Sequence, residues 1–320
     1  MRSSAQKPVF GVAFLLILVA GTAAPQDLSK VEIQTVPVAG NVSMLIGGGG
    51  NVGVSVGEDG ALLIDDQFPE LVEKIRAAVA ALKPGPIRFV LNTNWHYDHA
   101  NGNELLARAG AVVIAHENSR RHMMGEQTYP DLDPTIKMAP YPKDALPVIT
   151  VKDTLRLYFN DDEIRMVHVP NAHSDGDLLF HFVRANVLHT GDLVFSSGFP
   201  FINVSMGGTI DGMIKAADII IGLCDERTMV IPGHGPLTDR EGVRAYKDLL
   251  VTGRAKIAAL VKAGKTVDEA VAAKPLEGLY KGGRASMLDD IFVQVVFWDL
   301  TGKFRRPQGA RADSRPIIPE

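Results

Sequence analysis

The chain has a single cysteine among its 320 residues, so no disulfide can form within it. The fold must therefore be stabilised by its apolar core, even in an oxidising compartment. That cysteine, Cys224, follows the apolar run IIIGL, and we predict a small buried side chain there. Excess positive charge is lacking too, because the formal net charge is −4. This balance argues against a nucleic-acid-binding protein.

The apolar run near the N-terminus has the pattern of a targeting segment. Arg2 and Lys7 precede PVFGVAFLLILVAGTAA, which ends in small residues at Ala24. The run is short for a bilayer span, and its end resembles a cleavage site. We therefore expect residues 1–24 to be a bacterial signal peptide. The mature protein would be periplasmic or secreted, without stable membrane association; an uncleaved anchor is the alternative.

The rest of the chain alternates strand-like and helix-like segments. Short β-branched segments between residues 31 and 65 predict strands, and a glycine-rich turn, GGGGNVG (47–53), joins two of them as a hairpin turn or a mobile loop. PELVEKIRAAVAALKPG (69–85) has apolar residues at helical spacing, and NELLARAG predicts a helix that ends at Gly110. This order of strand, helix and strand predicts an α/β layered fold.

The C-terminal part is predicted to be helical. Thr238 and Thr266 each precede a glutamate at the spacing of a capping box, and SMLDDIFVQVVFWDLTG predicts a last amphipathic helix. One domain would then cover residues 25–305. The composition of residues 306–320 is typical of a disordered tail.

Histidines and aspartates follow apolar strands in four separate segments, NWHYDH, AHSDGD, TGD and PGHG. In a layered α/β fold such strand ends gather at one edge, where sites are built. Imidazole and carboxylate groups are good zinc ligands, and catalytic zinc sites leave one position for water. The candidate ligands are His96, Asp98, His99, His173, Asp192 and His234.

These motifs, in this order, resemble the metallo-β-lactamase superfamily, whose pattern is His-x-His-x-Asp-His, a lone His, an Asp and a final His. The resemblance covers most of residues 30–240. It implies an αββα sandwich, in which helices flank two mixed β-sheets. By position it assigns His96 and His173 to a first zinc site. It assigns Asp98, His99 and His234 to a second site, with Asp192 as the bridge.

Two further residues are predicted to support these ligands from behind. Asp65 fits the family's early aspartate, which holds a ligand in place. His189 lies just before Asp192 in the chain and is predicted to have a similar supporting role.

Asn94 departs from the family pattern, because it takes the position of the first histidine. An amide oxygen is a weaker zinc ligand than imidazole, so the first metal is expected to bind less tightly or not at all. Within the resembled family, the lactamases that work with a single zinc also have Asn there. We therefore expect one or two zinc ions, one of them tightly bound, with Asn94 as a weak additional ligand at most.

A catalytic metal lowers the pKa of its water from about 15.7 toward 7, so hydroxide at the metal would attack a carbonyl carbon. Asp98 would be the catalytic residue that orients this water. The predicted function is an exported zinc-dependent hydrolase that cleaves an amide, lactam or ester-type acyl bond in a small molecule. β-Lactams are the leading substrates, as in class B β-lactamases.

Several alternatives stay open. Asp192 stands where many true lactamases have Cys or Ser, and this favours a lactonase or thioesterase of the same superfamily. An iron-dependent oxygen or sulfur enzyme and a non-catalytic metal-binding protein are further alternatives.

Three segments are predicted to form the substrate cleft. They are the 47–53 turn, the Pro- and Met-rich residues 119–148, and FSSGFPFINV (195–204). The aromatic side chains predicted to line it are Tyr129, Phe195, Phe199 and Phe201.

Overall fold

The structure is a computed structural model that describes residues 27–280 and 287–302. The predicted signal peptide and the predicted tail lie outside the described residues. No helix among the described residues is both long enough and apolar enough to cross a membrane.

Short β-branched segments form most of the strands. In chain order they are β1 (Gln34–Ala39), β2 (Val42–Ile46), β3 (Val52–Gly57), β4 (Gly60–Ile64), β5 (Ile87–Leu91), β6 (Val112–His116), β7 (Gln127–Tyr129), β8 (Asp133–Met138), β9 (Ile149–Val151), β10 (Thr154–Phe159), β11 (Asp162–His168), β12 (Leu178–Phe182), β13 (Val187–Phe195), β14 (Met229–His234) and β15 (Thr238–Asp239).

Two mixed sheets face each other. The first has the order β1-β2-β3-β4-β5-β6-β9, and β4, β5, β6 and β9 are parallel neighbours. The second has the order β10-β11-β12-β13-β14-β15, with β13 parallel to β14. Apolar side chains from both sheets, among them Ile64, Leu91, Phe180 and Ile231, form one buried cluster between them.

The helices cover the outer faces of the sheets. In chain order they are α1 (Val72–Leu82), α2 (Tyr97–Ala100), α3 (Asn103–Arg108), α4 (Glu117–Met123), α5 (Ile210–Leu223), α6 (Arg240–Lys262), α7 (Val267–Ala272) and α8 (Met287–Thr301). Ile75 and Val79 of α1 pack against the first sheet, while Met213 of α5 and Leu250 of α6 belong to a cluster with residues of the second sheet. The predicted αββα sandwich is therefore confirmed.

The helix ends agree with the sequence in two places and differ in one. Gly110 follows α3 with a φ of 101°, and Thr266 forms the capping box of α7. The capping box predicted at Thr238 is wrong. Thr238 pairs with Val230 in β15, so the backbone is still extended there and Asp239 caps α6 instead.

Residues 119–148 are more regular than their composition indicates. They contain most of α4 and the antiparallel hairpin of β7 and β8. The turn of this hairpin lies beside the edge at which β4, β5 and β14 end, where the candidate ligands gather.

Candidate metal centre

The segment that carries three of the candidate ligands begins just after β5. His96 is extended, with φ −64° and ψ 151°, and caps the single turn of α2. The Asn94 Oδ1 accepts a hydrogen bond of 2.8 Å from the backbone N–H of His96. This turn directs Asp98 and His99 toward the same edge of the sandwich as His96.

The structure brings the six candidate ligands together as two adjoining groups. In each group, one potential ligand atom per residue lies within 4.8 Å of the others. We call the group of His96, His173 and Asp192 the first metal site, and the group of Asp98, His99 and His234 the second metal site.

Asp192 lies between the two metal sites. Its Oδ2 is 3.5 Å from the Nε2 of His173 and 3.2 Å from the Nε2 of His99. Its Oδ1 is 3.4 Å from the Nε2 of His234. This is the position that a shared carboxylate would occupy.

Several buried ligand atoms have no hydrogen-bond partner. They are His99 Nε2, His173 Nε2 and Asp192 Oδ1. Leaving such atoms unpaired inside a protein is costly, and a cation bound among them would remove that cost. The residues present therefore fit a metal ion, and nitrogen with carboxylate oxygen suits a borderline divalent metal.

Two of the histidines contact a buried carboxylate through their Nδ1 atoms. Asp65 Oδ2 lies 2.7 Å from the Nδ1 of His99, and Asp65 itself accepts hydrogen bonds from the backbone and hydroxyl of Thr93. Asp177 Oδ1 lies 3.1 Å from the Nδ1 of His173. A carboxylate that accepts from one ring nitrogen leaves the other nitrogen free for a metal. Sequence reasoning missed Asp177, although its position four residues after His173 could have indicated it.

Asn94 reaches the first metal site through its amide nitrogen. The Nδ2 lies 3.2 Å from the Oδ2 of Asp192 and donates to it, while the oxygen is engaged by the His96 backbone. The atom that would ligate a metal is thus used to shape the turn. In this arrangement Asn94 holds Asp192 through a hydrogen bond.

Comparison with known proteins agrees with this geometry. Residues 45–250 match the family model of the metallo-beta-lactamase superfamily. The chain belongs to this superfamily. The recognition made from the four motifs is therefore confirmed.

Two solved structures show the same fold. A metallo-beta-lactamase from Pontibacter korlensis has a TM-score of 0.56 and 16% identity, over 69% of this chain and 99% of that one. The DIM-1 metallo-beta-lactamase has a TM-score of 0.55 and 18% identity, over 70% of this chain and 99% of that one.

Two curated relatives are hydroxyacylglutathione hydrolases. The protein from Pelagibacter ubique is 28% identical over 46% of this chain and 52% of that protein. The one from a Polaromonas species is 29% identical over 49% of this chain and 52% of that protein. The matched region thus spans about half the length of each relative.

His189 forms hydrogen bonds with backbone groups beside the site of this superfamily member. Its Nδ1 accepts from the backbone N–H of Gly191, beside Asp192, and its Nε2 lies 3.1 Å from the carbonyl of Asn51. Burial lowers the pKa of His189 to about 4, which favours the neutral ring that these two contacts require.

The glycine-rich turn at 47–53 packs against the metal centre instead of forming a wall of the cleft. A Cβ on Gly50 would lie 2.2 Å from the Cε1 of His99, and one on Gly49 would lie 2.5 Å from the carbonyl of Asp98. Asn51 then donates to the carbonyls of Pro232 and Gly235. Glycine is needed here because the backbone touches the ligands, so the prediction of a cleft-lining loop is wrong.

A narrow cleft opens beside both metal sites. Apart from four ligands, its lining consists of Tyr129, Leu132, Phe195, Phe201, Leu288 and Ile291. No lysine or arginine among the described residues lines it. The predictions for Tyr129, Phe195 and Phe201 are confirmed.

The prediction for Phe199 is wrong. Its ring packs against Phe292 at 4.5 Å between centroids, inside the core formed by α6 and α8. Leu288 and Ile291 of α8 were not predicted, because the helical pattern identifies an apolar face without indicating what that face covers.

The histidines of the two metal sites differ in their electrostatics. Burial alone would lower the pKa of His99, but Asp192, Asp98 and Asp65 hold it well above its usual value. At the first metal site, burial and the neighbouring His173 lower the pKa of His96 to about 3. His173, in the same site, is the opposite case, because Asp192 and Asp177 outweigh its burial and raise its pKa.

Proposed function

We propose that this superfamily member is an exported, zinc-dependent hydrolase that cleaves an ester-type acyl bond, including a lactone or thioester, in an uncharged and largely apolar small molecule. The observation that carries this proposal is the cleft beside the metal sites. Six apolar or aromatic side chains line it, and no cationic residue among the described ones does.

Zinc is supported by the donor set of imidazoles and carboxylates. When bound, it supplies Lewis-acid chemistry and lowers the pKa of water toward 7. Asp98 belongs to the second metal site and also lines the cleft, so its carboxylate can orient a water toward a substrate carbonyl. The apolar wall excludes bulk water from the other side of that carbonyl.

The cleft wall favours substrates with alkyl or aryl groups. Each buried CH₂ group contributes about 0.8 kcal/mol to binding by the hydrophobic effect. A carboxylate buried against this apolar wall, away from the metal, would have no cationic side chain as a partner and would be disfavoured. This separates uncharged esters, lactones and thioesters from substrates that carry a carboxylate beside the scissile bond.

β-Lactam hydrolysis, the leading prediction from sequence, is the second candidate. Asn94 and the expected export signal favour it, since β-lactams act outside the cytoplasm. Against it, β-lactam antibiotics carry a carboxylate, for which the described part of the cleft offers no cationic side chain. Hydroxyacylglutathione, named by the curated relatives, is also charged and is ranked lower for the same reason.

The test combines metal analysis with a matched substrate panel. The mature chain (residues 25–320) would be assayed with an uncharged thioester, an uncharged lactone, a hydroxyacylglutathione and a chromogenic cephalosporin. We expect bound zinc and a kcat/KM at least about tenfold higher for one of the uncharged substrates, which corresponds to about 1.4 kcal/mol. Asp98→Ala is the inactive control.

Each other outcome has a definite meaning. Absence of both metal and turnover would overturn the enzyme proposal. Bound iron would favour the oxygen or sulfur enzyme, and the cephalosporin as best substrate would favour the second candidate. Export is tested separately, by expressing the full chain in a bacterium; a periplasmic product starting at Pro25 is expected, and an intact cytoplasmic chain would contradict it.

A further inference from the structure

Asn203 lies behind the first metal site and contacts both of its histidines. Its Nδ2 is 3.1 Å from the Nε2 of His96, and its backbone N–H donates to the carbonyl of His173 at 2.8 Å. The side chain is buried, with 1% exposure. It is separated from His96 by 107 residues and belongs to none of the recognised motifs.

The direction of the Asn203 amide is fixed by its other contacts. The Oδ1 accepts from the backbone N–H of Met206 at 3.2 Å and from the Ser205 hydroxyl at 2.9 Å. A backbone N–H can only donate, so the oxygen must lie on that side. The amide N–H group therefore faces His96.

This contact selects one tautomer of His96. The Nε2 accepts a hydrogen bond from Asn203, so the proton of the neutral ring lies on Nδ1. The Nδ1 is then the ring nitrogen left to meet a metal, and it is the protonated one. His99 and His173 have the opposite arrangement, because carboxylates accept from one nitrogen and the other faces the site.

We propose that Asn203 is a positioning residue that weakens metal binding at the first metal site, because it holds His96 in the tautomer unsuited to a ligand. The inference rests on the metal centre of the proposed function and deepens it. The second metal site, whose His99 has a carboxylate behind it, then fills first. The first metal site fills only when the His96 ring gives up its bond from Asn203.

The direct test is Asn203→Asp. Aspartate has nearly the same shape, still accepts from Ser205 and Met206, and in addition accepts from a protonated Nε2 of His96. The metal-free protein would be titrated with zinc in competition with a chromophoric chelator. We expect the weaker zinc to bind about 10- to 100-fold more tightly in this variant, with the tighter zinc unchanged. An unchanged or weaker second zinc in the folded variant would overturn the proposal.

Ser205→Ala is the matched control. It removes one hydrogen bond to the Asn203 oxygen but leaves the Met206 contact and the amide facing His96. The affinity for the weaker zinc is expected to stay within about threefold of the original, well below the range for loss of a ligand partner. A rise equal to that of Asn203→Asp would show that loosening of the segment, and not the reversed hydrogen bond, causes the effect.

A second measurement does not depend on how well the aspartate variant folds. ¹⁵N NMR of the histidine rings in the metal-free wild-type protein reports which nitrogen carries the proton. The proposal predicts Nδ1–H for His96, and Nε2–H would overturn it. Failure of zinc to bind the wild-type protein at all contradicts the proposed function, whereas an Nε2–H tautomer contradicts only the role of Asn203.

Discussion

The two metal sites lie side by side and share Asp192, yet the groups that surround them differ. One carboxylate contacts a histidine at each site, Asp65 at His99 and Asp177 at His173. Within the described part of the chain, only the first metal site also has two amides directed at it, those of Asn94 and Asn203. A carboxylate that accepts from a histidine improves that histidine as a ligand. The Asn94 amide instead occupies an oxygen of Asp192, and the Asn203 amide keeps the proton of His96 on the nitrogen that would meet a metal. We therefore propose that neighbouring groups, as well as the ligands themselves, determine which of the two metal sites fills first.

The largest effect is expected from removing a ligand of the second metal site. Asp98→Ala should lower turnover and metal affinity by more than about 100-fold, since even partners behind a ligand are worth 10- to 100-fold. Steady-state assays and zinc titration check this. Retained activity in Asp98→Ala would contradict the assignment of this site as the catalytic one.

A smaller effect is expected from replacing Asp65 or Asp177, the carboxylates that contact His99 and His173. Asp65→Ala should weaken the tighter zinc about 10- to 100-fold, because the Nδ1 of His99 loses its acceptor. Asp177→Ala should act on the weaker zinc only, through His173. Chelator competition on both variants measures this, and the reverse pattern would mean that the order of the two sites is wrong.

Asn94→His should reduce the difference between the two metal sites. It replaces an amide that contacts Asp192 with a nitrogen ligand, so zinc content should rise from about one ion toward two per chain, as expected for imidazole over amide. Elemental analysis of the dialysed protein gives the answer. Unchanged metal content would show that residue 94 does not contribute to the first metal site.

An effect on stability is expected at Asp131, which lies at the far side of the segment that holds Asn203. Its Oδ2 accepts from the backbone N–H of Ser205, and burial raises the pKa of Asp131 to about 6. A folded-state pKa above the unfolded value of 3.8 means that ionisation destabilises the fold. The stabilising contribution is present below pH 4 and is lost as the pH rises through 6.

Asp131→Asn removes this titration. The difference in unfolding free energy between the Asp131→Asn variant and the wild-type protein should therefore shift in favour of the variant by roughly 1 to 3 kcal/mol from pH 4 to pH 8. Urea unfolding of the metal-free proteins at both pH values measures the difference. A difference that does not change with pH would show that the carboxyl of Asp131 is not perturbed by burial.

The six candidate ligands could be predicted from sequence because four of them follow an apolar strand, Asp192 lies within β13 and His234 ends β14. Strand ends in a layered α/β fold gather at one edge. The residues that position those ligands could not be predicted in this way. The Asn203 contact depends on how a loop after β13 returns beneath α2, and the direction of the Asn94 amide depends on the backbone of His96. Such contacts arise from the folded backbone and have no fixed spacing in the chain.

The lining of the cleft was also only partly predictable from the sequence. Aromatic residues near β13 and in β7 were recognisable as candidates, but Phe199 was indistinguishable in sequence from Phe201. Only packing places the former against Phe292 and the latter beside His96, with ring centroids 6.0 Å apart. The glycines at 49 and 50 carried a signal for close backbone approach, which the structure explains by their contact with Asp98 and His99.

The central claim is that one metal centre contains a strong second metal site and a weak first metal site. Zinc titration of His234→Ala and His96→Ala, one ligand from each site, tests it most directly. We expect His234→Ala to lose the tighter zinc and His96→Ala to retain it with unchanged affinity. Loss of the tighter zinc in His96→Ala, with retention in His234→Ala, would contradict the account.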